Sequence, residues 1–190
     1  NAGGGTIPGD VITGNTVSDC KPEGYGIWVF VQYSAATIEN NTVSGCAIGL
    51  GAFGGSFSGP TVSTVFRGNT VTGTGEVGSI GALVQTGTFG YGTDIAAEFQ
   101  FNSLGGFETG LLISESDDPY SDGDTSGQTA TVVVHRNAIA GNSAGGIDSQ
   151  TSNTTDATCN WFGHFSGPSG NGPGLGDAVS GNLNTSTWLL

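Results

Sequence analysis

The sequence predicts an all-β solenoid, in which one chain winds into about six coils and equivalent strands stack in parallel. Three observations predict this fold: a composition that disfavours helices, a polar motif that recurs along the chain, and a glycine-led apolar segment between its copies. Of the 190 residues, 36 are glycine and only 10% are charged, and glycine and short polar residues prefer turns to helix interiors. A chain of this length can form one core, so we expect a single domain over residues 1–190.

The recurring motif has the form apolar-x-x-Asn-x-apolar and first occurs within "VITGNTVSDC", residues 11–20. Successive motif asparagines lie 22 to 35 residues apart, and periods of roughly 20 to 50 residues indicate a repeat architecture. Stacked coils would bury the apolar positions as continuous rows, and each asparagine would bond to its neighbours in a ladder at a bend. Five clear copies and two weaker ones carry the motif asparagines Asn15, Asn41, Asn69, Asn102 and Asn137, then Asn160 and Asn182.

Each clear copy of the motif is followed by a segment that begins with glycine and continues with mostly apolar residues, as in "GIWVF" from Gly26 and "GLLIS" from Gly110. The distance from asparagine to this glycine is 8 to 12 residues, whereas the return to the next asparagine is longer and varies. Each period therefore holds strands joined by one tight and one variable turn. A hairpin sandwich would not keep one polar residue in register over so many periods, so parallel stacking is favoured.

This rhythm of motif and glycine segment resembles the right-handed parallel β-helix repeat of the pectate-lyase-like superfamily. The tail "DATCNWFGHFSGPSGNGPGLGDAVSGN", residues 156–182, is similar to the Asn-Trp-Trp-Gly, Ser-Gly-Pro segment of secreted bacterial and archaeal β-helix proteins. Here Phe162 replaces the second Trp and Cys159 replaces an Asn. The resemblance implies a right-handed parallel β-helix whose C-terminal coil and cap region covers about residues 156–190. It implies no single activity, because the same coil carries lyases, hydrolases, adhesins and passive surface proteins.

The formal net charge of −13 reflects a shortage of cations, which are Lys21, Arg67 and Arg136. Nucleic-acid binding requires a basic stripe, so we exclude nucleic acid as a partner. No apolar run approaches the roughly 18 residues of a membrane-spanning helix, which excludes membrane insertion. We expect an extracellular or cell-surface location, and a start at Asn1 without Met suggests a piece of a longer precursor. Glycosylation sequons occur at Asn40, Asn153 and Asn184.

Three cysteines occur, and Cys20 and Cys46 each lie five residues after a motif asparagine. They therefore occupy equivalent positions one coil apart, where Cα atoms about 5 Å from each other are within disulfide range. We predict a disulfide between Cys20 and Cys46 if the protein is secreted. Cys159 would then be unpaired and buried.

Strict alternation places one row of side chains outward directly after the first core row: Thr13, Glu39, Arg67, Gln100 and His135. One interpretation is a solvated face with a cross-coil ion pair between Glu39 and Arg67, which would contribute little stability. The other is a glycan-contacting or catalytic groove with Arg67 and His135 as polar anchors. The predicted ligand or glycan contacts are Trp28, Glu39, Arg67 and His135.

A second outward row follows from the glycine segments and contains Trp28, Gly51, Leu83, Leu112 and Asp148. Soluble monomers rarely leave a large apolar patch bare. Loops such as residues 55–63 would cover this patch, or it would be an interface between copies or with a carbohydrate that stacks on Trp28. The predicted association patch is Trp28, Phe30, Phe53, Leu83 and Leu112.

A third outward row contains Thr16, Thr42 and Thr70, with Ser18, Ser44 and Thr72 two residues on. Such arrays resemble the ice-binding faces of some β-solenoids. Threonine is also an ordinary outward residue of a strand, and the array fades at Ser103 and Ala138. We interpret it as a structural surface.

The densest charge lies in "ESDDPYSDGD", residues 115–124. Its carboxylates could supply oxygen ligands to Ca²⁺, although their spacing is not that of an EF-hand. The competing interpretation is a solvated acidic loop. The candidate ligands are Glu115, Asp117, Asp118, Asp122 and Asp124, and Ca²⁺ is the one cofactor considered.

No residue is predicted to be catalytic. A lyase would need a cationic base across a groove from the acids, a hydrolase would need acids gathered on one strand face, and no triad or phosphate-loop motif occurs. We therefore favour a non-catalytic extracellular structural or adhesive β-helix, a segment of a surface protein or self-associating assembly. Its partner would be another copy or a polysaccharide. The alternative is a polysaccharide lyase, a glycoside hydrolase or a carbohydrate-binding module.

Overall fold

The computed structural model describes residues 9–20, 24–30, 35–54, 63–86, 94–115 and 128–190. Within these ranges the regular elements are nineteen β-strands. They form three sheets, and every strand pair in them is parallel. The predicted all-β stack of parallel coils is therefore confirmed.

Sheet A contains the strands that precede the motif asparagines. Neighbouring strands come from successive coils, so the sheet runs along the whole stack. Its seven strands are β1 Asp10–Thr13, β4 Ala36–Glu39, β7 Ser63–Arg67, β10 Ile95–Gln100, β13 Ala130–His135, β16 Thr155–Asp156 and β19 Leu183–Asn184.

Sheet B contains the short strands that follow the motif asparagines. The five strands are β2 Thr16–Val17, β5 Thr42–Ser44, β8 Thr70–Thr72, β11 Ser103–Gly105 and β14 Ala138–Ile139. In the sixth coil a single parallel bridge from Ala138 to Trp161 takes the place of a strand.

Sheet C contains the glycine-led segments. Its strands are β3 Tyr25–Phe30, β6 Ile48–Phe53, β9 Ile80–Gln85, β12 Thr109–Ser114, β15 Gly145–Gln150, β17 Pro168–Gly170 and β18 Gly176–Gly181. One strand from each sheet makes a coil, so the described residues form six coils and β19 begins a seventh, in agreement with the expected number. None of the described elements is a helix long and apolar enough to cross a membrane.

The core consists of stacked rows of apolar side chains from the three sheets. The residues three positions before the ladder asparagines, Ile38, Phe66, Phe99 and Val134, are fully buried. The Phe66 and Phe99 rings stack with centroids 4.6 Å apart, and each fully buried side chain of this size contributes about 1.5 to 3 kcal/mol. Further rows come from sheet B, with Val43, Val71, Leu104 and Ile139, and from sheet C, with Leu50, Ala82, Leu111 and Ile147.

The motif asparagines form a hydrogen-bonded ladder at the bend between sheets A and B. Each Nδ2 donates to Oδ1 of the asparagine in the next coil, and that Oδ1 also accepts the backbone N–H of the same donor residue. From the second rung on, each Nδ2 also donates to a core-row carbonyl one coil back, such as Phe66 O for Asn102. The distances from Nδ2 to Oδ1 are 3.0 Å for Asn15 to Asn41, 3.0 Å for Asn41 to Asn69, 2.9 Å for Asn69 to Asn102, 2.9 Å for Asn102 to Asn137 and 3.0 Å for Asn137 to Asn160.

Asn182 does not belong to the ladder, so its assignment as a weak copy of the motif is wrong. Val179 pairs with Ile147 in sheet C, not with the core row of sheet A. Asn182 follows β18, and its side chain bonds to Ser152 and Thr154. The residue paired with Asn160 in the last coil is Trp188.

The residue before each ladder asparagine adopts a left-handed conformation. Gly and Asn tolerate this conformation, but for a bulky residue it costs about 1 to 2 kcal/mol. The predicted burial of Cys159 is wrong, because the side chain at this bend turns away from the core and is half-exposed. The φ angles are 68° at Gly14, 55° at Asn40, 64° at Gly68, 57° at Phe101, 59° at Arg136 and 60° at Cys159.

The glycine that begins each sheet C segment is required by close packing between coils. A Cβ at Gly81 would lie 2.5 Å from the carbonyl oxygen of Gly110, and one at Gly49 would lie 2.6 Å from that of Gly81. Both distances are shorter than real Cβ contacts, so any side chain would force the coils apart. The recurring glycine is therefore a structural part of the repeat.

Candidate binding surfaces

Four aromatic rings form a cluster on the outer face of sheet C in the first two coils. We call Tyr25, Trp28, Phe30 and Phe53 the aromatic cluster. Trp28 stacks on Tyr25 with centroids 4.7 Å apart, and Phe30 stacks on Phe53 at 5.7 Å. Trp28 remains 44% exposed and Phe30 39% exposed. A ring cluster held on a sheet and open to solvent is a candidate contact surface.

Gly51 makes room for this cluster. It pairs with Trp28 one coil away, and a Cβ there would lie 3.1 Å from the Trp28 Cβ and 3.6 Å from the Tyr25 ring. The absence of a side chain lets the Tyr25 ring lie over the second coil.

The predicted association patch is larger than the exposed one. Leu83 and Leu112 do follow Trp28 and Gly51 in register, but Leu83 is only 6% exposed and Leu112 is half-buried. The burial of Leu83 agrees with the interpretation that this part of the patch is covered, because alternation gives the direction of a side chain and not its accessibility. Apart from Ser63, the loop 55–63 proposed as a cover lies outside the described residues.

The predicted ligand-contact residues lie on two different sheets. Glu39, Arg67 and His135 share the outer row of sheet A in the predicted register, whereas Trp28 lies on sheet C. Among the described residues, no ion pair joins Glu39 to Arg67, so the cross-coil pair is also not formed. The two halves of the predicted site lie on different sheets because each was read from its own row.

His135 instead contacts two residues of the sixth coil that sequence reasoning missed. Its Nε2 lies 3.1 Å from Asp156 Oδ2 and 3.2 Å from Thr158 Oγ1. Burial alone would raise the pKa of Asp156, but hydrogen bonds from His135 and Thr158 and the charge of His135 lower it overall. The outer row of His135 lies two residues before the ladder asparagines, and side chains four residues before them point to the same face. Asp156, four residues before Asn160, pairs with Val133 and could have been placed beside His135 in this way.

This constellation does not have the geometry of a catalytic triad. In a triad, the hydroxyl and the carboxylate contact different nitrogens of the imidazole. Here Asp156 and Thr158 contact the same nitrogen, and Thr158 Oγ1 also lies 2.9 Å from Asp156 Oδ1. The carboxylate therefore binds the hydroxyl directly, and the three groups tie the sixth coil to the fifth.

The predicted calcium loop lies almost wholly outside the described residues. Asp117, Asp118, Asp122 and Asp124 are all outside them. Glu115 is described, and its carboxylate accepts the backbone N–H groups of Ala130, at 2.9 Å, and Ser152, at 2.7 Å. Within the described ranges no group of three or more His, Cys, Asp or Glu side chains is placed to hold a metal ion. The Ca²⁺ site stays a prediction.

The cysteines and the sequon asparagines lie near the bends. Cys20 and Cys46 are joined by a disulfide, with their Cα atoms 4.7 Å apart. The Cys159 sulfur lies 3.5 Å from Thr187 Oγ1. The three sequon asparagines, Asn40, Asn153 and Asn184, are exposed, and their glycosylation stays a prediction.

The threonine row of sheet B has the predicted register. Thr16, Thr42 and Thr70 are aligned in successive coils and exposed. The row continues through Ser103 to Ala138, so its hydroxyl groups end before the fifth coil.

Residues 7–103 match the model of a family described as the right handed beta helix region, which covers about half of the chain. The chain belongs to the right-handed β-helix family. The expected right-handed parallel β-helix is thereby confirmed, whereas the likeness of the C-terminal tail to secreted β-helix proteins stays a prediction. Comparison with curated proteins and with solved structures gave no significant match.

Proposed function

We propose that this right-handed β-helix is a non-catalytic, extracellular structural or adhesive module whose aromatic cluster is its contact surface. The observation that carries the proposal is the exposure of Trp28 and Phe30 on the face of a rigid sheet. Aromatic rings offer large contact area with little entropy to lose, and they stack on the apolar faces of sugar rings.

The charge of the chain favours a neutral polysaccharide over other partners. With a formal net charge of −13, an anionic polysaccharide or a second copy would be repelled at low salt. The rings of the aromatic cluster are uncharged. A neutral sugar chain can therefore contact them without electrostatic repulsion from the acidic protein.

Two further observations support the proposal. The disulfide between Cys20 and Cys46 suits an oxidising, extracellular compartment. Several carboxylates serve as links between segments: Asp94 accepts the backbone N–H of Thr129, and Asp177 accepts that of Asn142. Acids engaged in this way hold the coils together and are poorly placed for general acid or base catalysis.

The experiment is retention of the whole chain on insoluble cellulose, chitin and xylan, with insoluble pectate as the anionic comparison. The test variant combines Trp28→Ala with Phe30→Ala, and Phe165→Ala, another exposed aromatic residue at 68%, is the control. We expect retention on at least one neutral polymer. Two stacking rings at about 0.5 to 1.5 kcal/mol each predict binding that is about 5- to 150-fold weaker in the double variant.

Light scattering and product assays decide between the alternatives. Self-association that the double variant abolishes would make the partner another copy and support a structural role for the same surface. The proposal would be overturned if the chain shows no retention on any polymer and no self-association at any concentration. Release of unsaturated uronates or reducing ends from any of these polymers would show an enzyme instead.

A further inference from the structure

A pocket of about 260 Å³ lies at the other end of the outer face of sheet C, where β15, β17 and β18 meet. Its polar lining comes from Asp148, Ser180, Asn171 and Thr109, and its apolar lining includes Gly145 and Ala178. Sequence reasoning missed it, because β17 pairs with the edge of β18, and no strand described in the earlier coils is paired in this way.

Two of the residues that line the pocket must be glycine. A Cβ at Gly145 would lie 2.9 Å from the carbonyl oxygen of Ala178, and one at Gly170 would lie 2.5 Å from that of Val179. Gly170 also has a φ of 75°, which disfavours any side chain there. Close strand packing therefore excludes side chains at both positions, and the backbone of both glycines borders the pocket.

The Asp148 carboxylate is held in place by two donors on the same outer face. Ser180 Oγ donates to its Oδ1 at 2.7 Å, and Gln150 Nε2 donates to its Oδ2 at 2.7 Å. Each carboxylate oxygen can accept a second hydrogen bond. The carboxylate thus presents two oriented acceptors, which match two neighbouring hydroxyl groups on one ligand.

The chemistry of the lining narrows the class of ligand. Among the described residues that line the pocket none is cationic, so an anion would meet the Asp148 charge without compensation. One carboxylate is too few for a Ca²⁺ cage, which needs about six to eight oxygen ligands. The volume lies below the roughly 300 to 1,000 Å³ of sites for drug-sized ligands, which suits one small ring.

We propose that this pocket binds a single neutral sugar ring through adjacent hydroxyl groups that donate to Asp148. The apolar face of the ring packs over Gly145 and Ala178, and Ser180 keeps the carboxylate oriented. This site is separate from the aromatic cluster. Asp148 and Trp28 belong to the same outward row but lie four coils apart, which is about 19 Å at ~4.8 Å per coil.

The test is saturation-transfer NMR on the whole chain with methyl glycosides of glucose, galactose and mannose, and with sodium glucuronate as the anionic probe. We expect a signal from at least one neutral glycoside and a much weaker one from glucuronate. No signal from any of the three glycosides at tens of millimolar would overturn the proposal. Equal binding of glucuronate would overturn it as well.

Variants locate the binding site. Asp148→Asn keeps the shape of the side chain but removes the charge-assisted acceptors, which predicts a loss of affinity of about tenfold or more. Ser180→Ala should weaken binding by a smaller factor through the loss of orientation. The matched control Asp156→Asn changes a carboxylate on sheet A and should have no effect on binding.

Trp28→Ala separates this proposal from the proposed function. It should weaken retention on polymers while leaving methyl glycoside binding within about twofold, since the two sites lie four coils apart. If Asp148→Asn and Ser180→Ala both retain full affinity while thermal melting shows them folded, the pocket is not the binding site. If Trp28→Ala abolishes glycoside binding instead, the sugar binds at the aromatic cluster and the pocket proposal fails.

Discussion

Replacing Asn102 by Ala tests the ladder at its centre. Asn102 is 1% exposed, and its Oδ1 accepts both the backbone N–H and the Nδ2 of Asn69, at 3.0 and 2.9 Å. Its Nδ2 donates to Asn137 Oδ1 and to the Phe66 carbonyl, both at 2.9 Å. Alanine removes all four bonds and leaves the neighbouring groups buried.

The magnitude follows from the buried groups that lose a partner. The Asn69 N–H lies within the stack and loses its acceptor, Asn102 Oδ1, while Phe66 O, in the paired strand β7, loses one donor. An unsatisfied buried group costs about 1 to 3 kcal/mol, so the Asn69 N–H alone predicts a loss of about 1 to 3 kcal/mol. Asn69 Nδ2 still donates to Ile38 O at 2.8 Å, and the backbone N–H of Asn102 still reaches Asn137 Oδ1 at 2.9 Å.

Asn15→Ala is the matched control at the end of the ladder. Asn15 is exposed, and its side chain donates to Asn41 Oδ1 at 3.0 Å and to Thr13 O at 3.1 Å. Water can replace these bonds in the variant, so the expected loss is about 1 kcal/mol or less. The two variants thus differ in burial while sharing the residue type and the motif.

Urea unfolding followed by circular dichroism measures the difference. The midpoint of Asn102→Ala should fall well below that of Asn15→Ala at an unchanged m-value, which would show that the exposed surface is the same. Equal midpoints for the two variants would refute the reasoning, because the cost would then not depend on burial of the ladder.

Three more predictions concern the glycine row, the sheet A contact and the disulfide. Gly81→Ala should destabilise by about 1 to 3 kcal/mol through overpacking, whereas Gly14→Asn, at an open left-handed position, should melt within a few degrees of wild type; equal melting would contradict the packing argument. The pKa of Asp156 is lowered from its ordinary value of 3.8, so its contribution to stability is present above pH 3.8 and is lost as the pH falls through the folded-state pKa. Melting temperatures of the wild type and of Asp156→Asn should therefore converge between pH 6 and pH 2.5, and parallel curves would oppose this. Cys20→Ser should cost about 3 kcal/mol. In the wild-type chain, thiol titration in denaturant should find one reactive thiol, whereas three would rule out the disulfide between Cys20 and Cys46.

The fold was predictable because one polar residue marks the same bend in coil after coil. Asn15, Asn41 and Asn69 fixed the register, and alternation from them gave the inward and outward rows correctly over five coils. The glycine segments were predictable for the same reason, since Gly49 and Gly81 meet the backbone of the next coil at the same place. A repeat that each coil must satisfy leaves a strong trace in the sequence.

The candidate sites were harder to predict, because they depend on what differs between coils. Burial of Leu83 could not be read from alternation, which gives direction alone. Trp28 and Arg67 belong to rows on different sheets, so the predicted contact residues do not share one row. Asn182 misled because its match to the motif falls where β18 still belongs to sheet C. The Asp148 pocket depends on the edge strand β17, which has no counterpart among the strands described in the other coils.

Side-chain amide hydrogen exchange, followed by NMR, tests most directly the claim that the asparagine repeat is a buried structural ladder. The Nδ2 protons of Asn41, Asn69, Asn102 and Asn137 are bonded inside the stack and should exchange many times more slowly than those of the exposed asparagines. The internal comparison is with Asn153 and Asn184, which are exposed. Exchange of the four ladder amides at the same rate as these two would contradict the account.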